Sequence, residues 1–115
     1  MFGHDSMGME TALPHVSATR NQFGIEITRL DMKLLSDMLA KKSYDERELL
    51  KLKKWIKSDC LKIEIPKETD EDNLDKSLAL YLIVRDMLKE LNAVGGGFMS
   101  QLEWGSDSRG IPLPV

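Results

Sequence analysis

The chain has 115 residues, 42% of them hydrophobic and 30% charged, with a formal net charge of −3 at pH 7; this is one domain's worth of ordinary globular composition, able to bury roughly two-thirds of its unfolded surface. The negative charge and dispersed basic residues exclude nucleic acid or an acidic membrane surface as the main partner, and a single cysteine, Cys60, excludes an internal disulfide or a cysteine-based zinc motif and indicates a reducing, cytoplasmic compartment. No stretch approaches the ~20 apolar residues of a membrane span, and the start at Met1, Phe2, Gly3, His4 and Asp5 lacks the basic and then apolar regions of a signal peptide, so a soluble protein is expected.

From Asp5 to Glu10 the chain is too polar and glycine-interrupted for a regular element. Pro14 suits the first turn of a helix running to about Phe23, which Gly24 stops. Ile25 to Leu30 begins with alternating apolar and polar side chains and is rich in β-branched residues, which predicts a short, half-buried strand. Asp31 is a good N-cap for a helix ending near Lys42, in which Met32, Leu34, Leu35, Met38 and Leu39 form one apolar stripe. Ser43 with Glu46 has the capping-box form, predicting a new helix to about Ser58 with Leu49, Leu52, Trp55 and Ile56 inward. Its lysines at 51, 53, 54 and 57 then face water or the negative helix terminus. Leu61 to Ile65 alternates like a strand but stops at Pro66, which fits an edge strand or an extended connection equally. An acidic run from Glu68 to Asp72 opens a long helix from about Asp70 to Leu91, with Leu74, Leu78, Tyr81, Leu82 and Leu88 at helical spacing and Gly95, Gly96 and Gly97 ending it. Gly105 to Gly110 is a loop, and Ile111 to Val115 an apolar tail without a cap.

Four amphipathic helices need an apolar surface to cover, yet only one good strand and one doubtful one are in view. Two architectures satisfy this: a helical orthogonal bundle with a small hairpin, or the favoured α/β fold class, in which residues 1–115 are a single partial domain, a helix-rich piece of a three-layer Rossmann-like domain with one or two short strands and about four helices.

The chemistry-bearing residues gather after the glycine run. Flexible backbone at Gly95, Gly96 and Gly97 leads into Phe98, Gln101, Glu103 and Trp104, a composition suited to a binding loop. It is no phosphate cradle, because the glycines leave a helix and no Lys-Ser or Lys-Thr follows. Glu103 and Asp107 flank Trp104 and have the chemistry of an acid–base pair, though loop carboxylates are mostly solvated. His4, Asp5, Glu10 and His15 are metal-ligand types without ligand spacing. Cys60 beside Asp59 has none of the surroundings that activate a thiol. The methionines read as core filler and the lysines of 51–57 as a solvated face.

Several segments, in order, resemble the L-fucose isomerase and L-arabinose isomerase superfamily of sugar ketol-isomerases over nearly the whole chain. Ser6, Met7, Gly8 and Met9 resemble a turn after the first strand of that family's second domain, and Phe23 to Ile27 with Asp31 the strand entry that follows. Tyr44 to Glu46 with Trp55, and Leu74 to Leu82, resemble its next helices, while Gly97, Phe98 and Gln101 to Trp104 resemble its substrate loop. The resemblance implies a cytoplasmic, homo-oligomeric parent enzyme of carbohydrate metabolism. That enzyme moves a proton between adjacent carbons of an aldose, L-fucose or a relative, through an enediol with Mn²⁺. It implies sugar contacts for Met7 and Gln101 and a possible pocket role for Glu103 and Trp104. No catalytic residue, metal ligand or cofactor is expected in this chain, because the family's metal-binding Glu, Asp and His match nothing within it. The expectation is therefore a fragment that supplies a sugar-pocket loop but is inactive alone. The alternative is a standalone, non-enzymatic binding or assembly module using Trp104 and the apolar tail as a subunit contact. Leu102 stands where one branch has proline and His4-Asp5 where others have Gly-Gly or Gly-Arg, so the resemblance does not fix which sugar is bound.

Overall fold

The computed structural model describes residues 1–3, 15–60 and 71–98, and helix dominates them. Helix α1, Val16–Phe23, starts at His15, whose imidazole Nδ1 accepts the Ala18 N–H at 3.1 Å, and stops at Gly24, whose left-handed φ of 67° lets its N–H reach the Arg20 carbonyl. Helix α2, Met32–Ala40, has Asp31 as its N-cap, the carboxylate accepting the Lys33 N–H at 2.7 Å. It ends at Ala40 with Lys41 as its C-cap, and Lys42 then takes a φ of 52° while its N–H and that of Ser43 bond back to Leu39 and Met38. That is the Schellman arrangement, which satisfies two carbonyls the helix would otherwise leave open.

Helix α3, Glu46–Asp59, corrects the capping-box expectation. Its cap is Asp45, accepting the Arg47 N–H at 2.8 Å, because Ser43 is already committed to closing α2. The expected inward face is corrected too: Leu49, Leu52 and Ile56 are half-buried, but Trp55 is 58% exposed. Helix α4, Glu71–Glu90, is not ended by the glycines. A second Schellman closure ends it, with Asn92 at φ 50° and the N–H groups of Asn92 and Ala93 bonding to Lys89 and Leu88. Asparagine tolerates this left-handed region better than most residues with a side chain.

The core lies between α2, α4 and the start of the chain. Met32, Leu35 and Leu39 meet Ala79, Leu80, Ile83 and Met87, with Phe2 set among them at 1% exposure and Leu30, Met38, Tyr44 and Val84 at the margin. Full burial of side chains of this size contributes about 1.5–3 kcal/mol each. On α4 the core row was legible only in part, since Tyr81, expected inward, is exposed and Ile83 and Met87 are buried in its place. Helix α3 runs antiparallel to α4, tied by Lys53 to Asp75 at 2.7 Å and by Arg85 to Glu48 at 3.7 Å. Helix α1 packs on none of the other three.

Phe2 also pairs with two distant segments, through parallel bridges to Leu30 and Phe98. The expected strand from Ile25 to Leu30 is thereby reduced to a bridge at its last residue, because the Met1–Gly3 segment runs beside only Thr28 to Leu30. The helix-rich expectation and the four helices hold, but among the described residues there is no sheet for a three-layer arrangement to be built on. The alternation at 61–65 lies outside the described residues.

Candidate functional site

In a parallel pairing all segments leave the sheet from the same end. The order across the bridges is Leu30, Phe2, Phe98, held by the Phe2 N–H to the Gly97 carbonyl at 2.9 Å, the Gly3 N–H to Leu30 at 2.9 Å and the Leu30 N–H to Met1 at 2.8 Å. Phe2 and Phe98 stack with ring centroids 5.5 Å apart, which fixes the two segments side by side. The chain therefore passes Gly3, Asp31 and Phe98 at one common edge, the carboxyl end of the paired segments. In open α/β sheets ligands bind there.

Two features prepare that edge. Gly3 has a φ of 99°, a conformation in which an L side chain is strained, so the chain turns immediately after the buried Phe2. Asp31 caps α2 there, and Lys33 in the first turn pairs with Asp37. Gly3 was missed from the sequence; its signal was a glycine directly after a lone aromatic.

Met7, Gln101, Glu103 and Trp104, the residues singled out from the sequence, lie outside the described residues, as do His4, Asp5 and Glu10. The chain segments that carry Met7 and Gln101 follow directly on Gly3 and Phe98, the two neighbours in the pairing. His15 is described, and it is a helix cap. Among the described residues no three of His, Cys, Asp and Glu converge, so the described part offers no donor set for the Mn²⁺ that the resemblance implies. Among them, too, no helix is long and apolar enough to cross a membrane.

The resolved shifts in acidity all favour charge. The Lys51 ammonium, donating to Glu48 at 2.7 Å, holds that carboxyl below its ordinary value, and Arg85 does the same to Asp86 at 2.8 Å. Lys51, Arg85 and Arg20 are raised in turn by the hydrogen bonds they donate to Glu48, Asp86 and Glu26. A general acid needs the opposite, a carboxyl whose neutral form is favoured.

Clefts open among the described residues include two that bear on the site. One of about 540 Å³ lies where the end of α2 meets α3 and α4, lined by Lys42, Tyr44, Leu49, Lys53 and Lys76. Its lysines at 53 and 76 are neutralised by Asp75 and Asp72. The other, about 710 Å³, lies at the amino end of the bridged segments, between 24–28 and 93–97, and is lined also by Leu88 of α4 and by Leu91 just after it. The glycine run lines this second cleft, on the side opposite to where the chain goes on toward Gln101. Gly96 is the glycine with a packing reason: a β-carbon there would lie 3.0 Å from the Leu88 side chain.

The sequence model of the family described as L-fucose isomerase, second N-terminal domain, matches residues 1–111. No curated protein and no solved structure matches the chain.

Proposed function

Because the chain belongs to the L-fucose isomerase family, as its second N-terminal domain, we propose that it works as the sugar-pocket wall of a metal-dependent aldose–ketose isomerase and does not isomerise by itself. The observation that carries this is the family match over 1–111. The common exit edge at Gly3, Asp31 and Phe98 supports it, since Met7 and Gln101 follow the two paired segments that leave there. Met7 supplies apolar contact to the sugar, Gln101 hydrogen bonds to its hydroxyls, and Glu103 and Trp104 border the same pocket. The proton transfer and the Mn²⁺ that polarises the carbonyl belong to other parts of the enzyme.

The parent domain in this proposal is a three-layer α/β unit of a cytoplasmic homo-oligomer, with no nucleic acid or membrane partner. A right-handed crossover from Phe2 to Leu30 puts α1 on one face, and one from Leu30 to Phe98 puts α2 to α4 on the other. The absence of any packing between α1 and the other helices supports that division.

Adding L-fucose to the isotopically labelled chain is expected to shift the Gln101 side-chain amide and the backbone amides of Gly3, Asp31 and Phe98. With Mn²⁺ added, no ketose should form above a metal-free control. Shifts confined to Lys42, Tyr44 and Lys53, or turnover by the chain alone, would overturn the proposal.

A further inference from the structure

The cleft of about 540 Å³ lies at the end of α2, a full helix away from the edge where Gly3, Asp31 and Phe98 meet, and its volume is in the range of small-molecule sites. Its charges are of two kinds. Lys53 and Lys76 are closed off by Asp75 and Asp72 at 2.7 and 2.6 Å. Lys42 and Glu46 line the same cleft, and among the described residues neither has an ion-pair partner. The Lys42 backbone holds the left-handed φ of 52°, which strains a residue with a β-carbon, and Lys41 already sets a cation against the carboxyl end of α2. Strain held where a cleft opens points to a site. The Tyr44 N–H bonds to the Lys42 carbonyl at 2.8 Å, a three-residue turn that sets the two residues side by side, and Tyr44 packs against the core. Its hydroxyl has no hydrogen-bond partner among the described residues. Leu39, Leu49 and Leu50 give the cleft an apolar wall.

We propose that this cleft binds an aliphatic α-amino acid as its zwitterion. The ligand carboxylate accepts from the Lys42 ammonium and the Tyr44 hydroxyl, its ammonium donates to the Glu46 carboxylate, and its side chain lies against Leu39, Leu49 and Leu50. The charge pattern selects this class. With Lys53 and Lys76 cancelled by their own partners, one cation and one anion are left in the cleft, and a ligand of a single charge would meet one of them and be repelled by the other. A zwitterion meets both. The apolar wall then sets the side chain, since a polar one would lose water there without gaining a partner. Lys42 is the anchor, and the strain in its backbone is the cost of keeping a cation at the turn instead of a glycine.

Titrating the isotopically labelled chain with L-leucine is expected to give saturable shifts of the backbone amides of Lys42, Tyr44, Glu46 and Leu50. 4-Methylpentanoate and 3-methylbutylamine, which each lack one of the two charges, should bind about tenfold more weakly. Lys42→Gly should weaken L-leucine binding by about tenfold while raising the urea midpoint, so the loss cannot come from unfolding. Lys42→Arg should keep the binding. No saturable shift with L-leucine, or equal binding by Lys42→Gly and the unaltered chain, overturns the site. Equal binding of L-leucine and 4-methylpentanoate overturns the zwitterion and the role of Glu46.

Discussion

Lys42 and Asn92 end their helices in the same left-handed conformation, with φ of 52° and 50°, yet only the second residue type is suited to it. A lysine β-carbon is crowded there, and glycine relieves the crowding while keeping the same N–H to the Leu39 carbonyl. Lys42→Gly is therefore expected to stabilise the chain by about 1 kcal/mol, read as a shift of the urea midpoint at constant slope. The strain lies beside the smaller cleft, where Lys42 and Tyr44 stand together and the Tyr44 N–H bonds to the Lys42 carbonyl at 2.8 Å. Neither closure could be located from glycine and proline signals, because neither uses them.

Helix boundaries show where local sequence rules compete. Ser43 to Glu46 satisfies the spacing of a capping box, but the Ser43 N–H is engaged by Met38 at 2.9 Å, so the three residues after α2 belong to its closure and the cap passes to Asp45. Asp45→Ala should cost about 1 kcal/mol and Ser43→Ala less than about 0.5 kcal/mol, measured by chemical denaturation; the reverse order would restore the capping box. The apolar stripe of α2 was largely legible because one face of a short helix meets a single partner: Met32, Leu35 and Leu39 are buried and Met38 half-buried, while Leu34, expected in the same stripe, is 40% exposed. On α3 and α4 one aromatic of each expected stripe, Trp55 and Tyr81, faces outward instead, and for one reason. Each helix has a seam held partly by ions, Lys53 with Asp75 and Arg85 with Glu48, so polar residues occupy inward positions and Trp55 and Tyr81 are displaced outward. Hydrophobic periodicity has no means of registering a seam closed by charge.

For the whole molecule, Phe2 is the residue on which the helical layer and the paired segments converge, stacked on Phe98 and buried among Leu35, Ile83 and Met87. Phe2→Ala should cost about 3–5 kcal/mol and broaden the Phe98 signals together with those of Leu30 in heteronuclear spectra; a loss confined to one neighbour would mean that the two bridges are independent. Helix number and order could be read in advance since each depends on a short window of sequence. The pairing order could not, because parallel bridges between residues so far apart leave no trace in local pattern and the alternation at Ile25 to Leu30 predicted more strand than its neighbour can support. The binding end proposed for Met7 and Gln101 rests on the resemblance and on loop composition, and both residues lie outside the described residues. The pairing adds that the segments leading to both depart from adjacent positions at one edge.

The central position of Phe2 also sets the order of events during synthesis. The residue that both neighbours need leaves the ribosome before any of the four helices, while its Phe98 partner emerges only after all of them. Helices α2 to α4, whose contacts are close in sequence, can associate long before that. Phe2 then waits, apolar and without Phe98, until all four helices have been made, so the segment around Phe2 is the one most open to chaperone capture.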